Sequence, residues 1–205
     1  MDQHGRLPWP APMDLAPPAK AVYAAITGGP RALGAQHFQI MDQSGRLEGP
    51  FNAMVIAPSV GGPLQELGAA IRYQTGLSDR QREVAILALA AATTSEFEWY
   101  AHKPIAQACG IDEKDIAAIF EGSEADGLDA TEKVVLKATR QLVATRSLES
   151  ALAGECQDHL GSSGFVELVV LVGYYQLLDL TLRVFQTPLP AGIGRQFNGG
   201  WNYGD

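Results

Sequence analysis

Cysteine is scarce in this chain. The 205 residues hold two, Cys109 and Cys156. They form no Cys-x-x-Cys, which excludes a zinc ribbon and a local redox pair, and at this length they make no disulfide scaffold. Positive charge is also short. Fifteen Lys and Arg stand against 23 Asp and Glu, a net charge of -8. No basic footprint is present for a nucleic acid or an anionic membrane surface, so neither is expected as a partner. No apolar run is long and clean. The greasiest stretch, Phe165 to Phe185, is interrupted by Glu167, Gln176, Asp179 and Arg183, and reads as a buried helix rather than a membrane span. The N-terminus lacks the apolar core of a signal peptide, so a cytoplasmic protein is expected. Several catalytic signatures are missing too: no G-x-G-x-x-G, P-loop, G-x-S-x-G or H-E-x-x-H occurs. His4, His37 and His159 are scattered, so no metal site is expected. Alternating strand patterns are absent as well.

What is present is apolar residue at helical spacing. Hydrophobic residues make up 46% of the chain, enough for a packed core. Six of the twelve prolines fall in the first 30 residues, which predicts an extended or polyproline-like arm, then a short helix from Pro17 to Ile26 stopped by Gly28-Gly29-Pro30. Residues 37–62 are broken by glycine and proline every few positions and read as a structured loop with apolar anchors such as Phe51 and Met54. Beyond it the punctuation is regular. Pro63 is expected to open a helix to Gln74, with Gly76 as its cap. Ser78 with Gln81, and Ser95 with Glu98, read as capping boxes that open two further helices. Asp112 and Asp129 open the next two. Ser150 to Leu160, stopped by Gly161, and Phe165 to Gln186 complete the set. The predicted fold is all-α, with roughly eight helices and short loops. A weak internal echo relates the segment around Glu83 to that around Glu167. The organisation expected is a proline-rich arm and short helix (1–30), one helical domain (31–190) and a Gly-rich tail with Trp201 and Tyr203 (191–205).

Three residues stand out chemically. Glu83 sits one turn into the most apolar helix of the chain. A carboxylate there is paired with Arg80, Arg82 or the helix N-terminus, or it is used. Glu98 and His102 lie at i and i+4 and share a helix face. They form either an acid/base pair or a cap and a satisfied core histidine. Pro104 is expected to kink this helix just past His102. Trp99 and Tyr100 flank the same face, as core or as walls of a small pocket. Arg72 and Tyr73 offer a cation and a hydroxyl to an anionic ligand, unless the arginine is simply solvated.

The stretch Leu77-Ser78-Asp79-Arg80-Gln81-Arg82-Glu83-Val84-Ala85-Ile86-Leu87, followed by Ser95-Glu96-Phe97-Glu98-Trp99-Tyr100-Ala101-His102 and then Ala106 and Gly110, resembles the carboxymuconolactone decarboxylase family of the alkylhydroperoxidase D-like superfamily. The resemblance is strongest over residues 63–121. The redox branch of that superfamily carries two cysteines where this chain has Ser95 and Glu98. Serine and glutamate cannot run a disulfide cycle. The decarboxylase branch carries Glu, Glu and His where this chain has Glu83, Glu98 and His102. The resemblance therefore implies an alkylhydroperoxidase D-like helical bundle and a cofactor-independent acid/base enzyme. It would be a decarboxylase, isomerase or lyase acting on a small carboxylated lactone or related acid. His102 would be proton donor or oxyanion stabiliser, Glu98 would tune it, and Glu83 would be a second acid or base. Phe51, Asn52, Tyr73, Ser95 and Trp99 are the expected substrate contacts. A homo-oligomer, trimeric or hexameric, is implied. The rival readings are a peroxidase using Cys109 or no cysteine, and a non-catalytic oligomeric binding protein.

Overall fold

The computed structural model describes residues 2–29 and 36–197. The expected stop at Pro30, the arm–domain boundary at 30 and 31, and the tail residues Trp201 and Tyr203 lie outside the described residues. Eight α-helices carry the fold among those described: α1 (Pro17–Gly28), α2 (Pro50–Ile56), α3 (Pro58–Tyr73), α4 (Asp79–Thr93), α5 (Glu96–Ala108), α6 (Glu113–Glu121), α7 (Ala130–Thr145) and α8 (Ser150–Val184). The fold is all-α, as the helical spacing predicts.

Helix α4 is the hub. Val84 to Ala90 are at most 2% exposed without a break, because α5, α6, α7 and α8 pack around it on all sides. A helix apolar all round has no other stable place. The capping box expected at Ser78 with Gln81 opens α4, and Asp129, expected to open the next long helix, does so through a second box with Glu132 at α7. Glycine ends α6 in the left-handed conformation at Gly122. Helix α8 is broken at Gly161, whose φ of 66° and ψ of 175° are not helical, so the two helices expected there meet at a sharp bend. Its inner face buries Leu168, Leu171, Tyr175, Leu178 and Leu182, while Val166, Val169, Leu177, Leu180 and Val184 on the outer face are exposed. This helix is long and apolar enough to cross a membrane by length and composition, yet its inner face belongs to the core.

Several expectations are corrected. Residues 37–62 are not a loop throughout, since they contain α2 and the first turn of α3. Pro50 and Pro58 occupy the first helical turn, where a missing N–H costs nothing. Pro63 lies inside α3 instead of opening it. The carbonyl it leaves unbonded belongs to Ser59, on an exposed first turn. Helix α3 ends at Tyr73, and Gly76 is no cap: its N–H donates to the Glu167 carboxylate. Glu167 thus ties down a turn, whereas Glu83 is buried in the core. The box expected at Ser95 does not form: the Ser95 side chain caps nothing, and Glu98 turns into the core. The arm is not simply extended. It folds as a two-stranded antiparallel ladder of β1 (Gln3–His4) and β2 (Leu7–Pro8), then a 3-10 turn at Pro12–Asp14. It is fastened to its own domain: the Arg6 amide donates to the Phe185 carbonyl, the Trp9 indole to Leu47, and the Asn52 amide group to Pro8.

Candidate active site

The turn between α4 and α5 is tight. Thr94 adopts the left-handed conformation (φ 54°), and the Ser95 amide donates back to Ala90. For a β-branched residue this backbone is costly, and it folds α5 back so that its first turns lie beside Glu83. Helix α5 then continues through Pro104 to Ala108 as one element.

Glu83, Glu98 and His102 come together there, at 4%, 2% and 3% exposure. His102 Nδ1 stands 2.7 Å from Glu83 Oε2. A ring nitrogen and a carboxylate that close need a proton between them, so His102 donates Nδ1–H to Glu83. The other ring nitrogen, Nε2, faces Glu98 Oε2 at 3.5 Å. Glu98 Oε1 has no hydrogen-bond partner among the described residues. Burial, with Asp179 and Glu83 adding negative charge nearby, pushes the Glu98 carboxyl up to about 8 against the pull of Arg72. Glu98 is therefore mostly a neutral acid at pH 7. Asp179 is held by Arg183, whose Nε donates at 2.8 Å. The His102 ring meets Tyr175 edge-on, with centroids 5.2 Å apart.

Glu98 and His102 line a cavity of about 30 Å³, which Arg72, Phe51, Tyr175 and Leu178 also wall. Phe38, Phe97 and Tyr174 complete an aromatic surround. The backbone near it is tightly fitted: a Cβ on Gly49 (φ 56°) would stand 2.1 Å from the Phe97 ring.

The expected substrate contacts divide. Phe51 lines the cavity. Asn52 is buried with its amide group on the arm. Tyr73 is 45% exposed. Ser95 is buried at the α4–α5 turn, and Trp99 packs edge-on to Phe120 and Phe197. None of these four lines the cavity. Arg72, Tyr174 and Tyr175 do, and only Arg72 carried a signal in the sequence. Cys109 is half-buried, and burial with Glu83 and Asp79 raises its thiol above the ordinary range. No group of three or more His, Cys, Asp or Glu among the described residues is arranged to hold a metal ion.

This helical arrangement is the alkylhydroperoxidase D-like fold. An alkylhydroperoxidase AhpD core, an uncharacterized peroxidase-related protein from Ralstonia eutropha, is similar at 13% identity with a TM-score of 0.71, covering 93% of this chain and 95% of that one. The debrominase Bmp8, in complex with 2,3,4-tribromopyrrole, is similar at 14% identity and a TM-score of 0.66, covering 86% of this chain and 87% of that one. A protein of unknown function from Agrobacterium tumefaciens is similar at 15% identity and 0.62, over 68% of this chain and 97% of its own. More particularly, residues 58–158, about half of the chain, match the model of the carboxymuconolactone decarboxylase family. That segment contains Glu83, Glu98, His102 and Arg72. No curated protein matches this chain in sequence.

Proposed function

We propose that this protein is a cofactor-independent acid/base enzyme that decarboxylates, or isomerises, a small carboxylated lactone or related organic acid. One observation carries the reading. A carboxyl group with a pKa of about 8 faces a cavity, its outer oxygen free and its inner oxygen backed by a histidine–carboxylate pair. A neutral carboxylic acid aimed at a substrate is a general acid poised near working pH.

The parts differ from those the family resemblance implied. Glu98 is the proton donor. Glu83 holds His102 through Nδ1, and His102 presents Nε2 to Glu98. In decarboxylation the substrate loses CO2, and the electron pair left behind is delocalised into the ring. Glu98 delivers its proton to carbon and becomes a carboxylate, which then recovers a proton from solvent. His102 steadies the carboxyl group through this cycle. Isomerisation uses the same transfer in both directions.

A second reading follows from the peroxidase-related neighbour. It runs through Cys109, whose raised thiol is the reverse of an activated thiolate. A homo-oligomer fits either reading, with the exposed Val166, Val169, Leu177, Leu180 and Val184 stripe of α8 as the face between copies; sedimentation velocity on wild type and Leu180→Glu tests it, with dissociation expected in the variant. The reaction is tested with wild type and Glu98→Gln on carboxylated lactones and β-keto acids, following CO2 release, alongside thiol-dependent peroxide consumption. Release that collapses in Glu98→Gln supports the acid/base reading. Peroxide consumption lost in Cys109→Ser supports the second.

A further inference from the structure

Arg72 has an unusual position. It is half-buried on α3 and lines the same cavity as Glu98 and His102. It forms no ion pair or hydrogen bond with a carboxylate among the described residues, and Glu83 and Glu98 reach it only through space. The other walls of the cavity are largely aromatic or apolar. A guanidinium stripped of most of its water, with no bonded counter-ion, is a fork waiting for a planar anion.

We propose that Arg72 anchors the carboxylate of a small planar organic acid in this cavity, and that seating this anion loads a proton onto Glu98. The proposal deepens the acid/base reading and rests on it for the role of Glu98. The ligand must be small, because the cavity, of about 30 Å³ and partly open to solvent, has room as it stands for little more than water. The largely aromatic walls favour a flat ring.

The linkage follows from the charges around Glu98. Facing it are Glu83 on α4, His102 on its own helix, Tyr175 and Asp179 with Arg183 on α8, and Arg72 on α3. Among these, Arg72 is the cation that favours ionised Glu98. An anion bound to Arg72 cancels that pull and adds its own repulsion, so the protonated form gains. By reciprocity, protonated Glu98 tightens anion binding. The substrate thus secures the proton that its own conversion consumes.

The test uses the intact protein with benzoate and 2-furoate as probes, and their neutral amides as controls. Titration calorimetry at pH 8, in buffers of different ionisation enthalpy, counts protons. Wild type should bind the carboxylates with net proton uptake, because part of Glu98 is ionised there. Affinity should fall by up to about tenfold per pH unit above 8. Glu98→Gln should keep binding and lose the pH dependence. Arg72→Gln should lose preference for carboxylate over amide, and Arg72→Lys should recover part of it. No saturable carboxylate binding at millimolar concentration, binding without proton uptake, or an unchanged preference in Arg72→Gln overturns the proposal. Binding with uptake but without turnover of any acid leaves the proposal standing and removes the catalytic reading. Turnover indifferent to Arg72→Gln does the opposite.

Discussion

Two buried histidine–glutamate clusters lie among the described residues, and they are easily mistaken for one another. His102 touches Glu83 at 2.7 Å and Glu98 at 3.5 Å. His4, on the N-terminal arm, stands 3.5 Å from Glu48. All five residues are at most 4% exposed. Burial pushes Glu48 up to about 7 and His4 down to about 4. The arm pair, however, is sealed. His4 stacks on Trp9, Arg46 lies over the same indole, and neither His4 nor Glu48 lines the cavity. The α4–α5 pair opens on a cavity with a guanidinium across it. A shifted carboxyl alone therefore marks burial, and a shifted carboxyl facing a charged cavity marks a candidate site.

The largest effect that separates the two regions is on turnover. Glu98→Gln keeps shape and removes the proton, so turnover should fall by about 10²-fold or more, with the helical circular dichroism signal unchanged. Next comes a paired swap. His4→Phe with Glu48→Met should leave turnover intact and stability unchanged or higher by about 1–4 kcal/mol, as for a buried pair replaced by apolar residues. His102→Phe with Glu83→Met should abolish turnover whatever its effect on stability. Equal losses from both swaps would erase the distinction.

Stability against pH sharpens it further. Folded Glu98 keeps a proton that the unfolded chain releases above its ordinary 4.5, so the folded state loses stability as pH rises from 4.5 toward 8. Denaturant titrations should show Glu98→Gln gaining on wild type across that window. At the arm the two shifts oppose each other. Raised Glu48 costs stability as pH rises from 4.5 to about 7, and lowered His4 costs it as pH falls from 6.5 to about 4. Between 4.5 and 6.5 the slopes cancel, so the His4→Phe, Glu48→Met variant should track wild type there. The smallest effect is at Cys109. Cys109→Ser should leave carboxylate turnover unchanged, as expected of a thiol with no part in the transfer.

Local signals were readable where they act locally. Ser78 with Gln81 and Asp129 with Glu132 form their boxes because each needs only four consecutive residues. Ser95 with Glu98 carries the same pattern and fails, since burial beside His102 and Asp179 decides where Glu98 points. The shared face of Glu98 and His102 follows from helical spacing, and Glu83 from its place in an apolar helix. Pro50 and Pro58 read as breaks in a loop and Pro63 as a helix start, yet the first two start helices and the third sits inside one: proline's effect depends on its distance from the helix start. Tyr175 reaches the site from a helix far downstream of His102 in the chain, and nothing in its own neighbourhood distinguishes it from core. Glu48 meets His4 only because the arm folds back.

The most direct measurement is the titration of Glu98 itself, by carbon-13 NMR of protein labelled at glutamate carboxyls, with the signal assigned by its loss in Glu98→Gln. A midpoint near 8, shifting upward when benzoate is added, is the expected result. A carboxyl already ionised at neutral pH, with a midpoint near its ordinary value of 4.5, would remove the neutral acid on which the proposed chemistry depends.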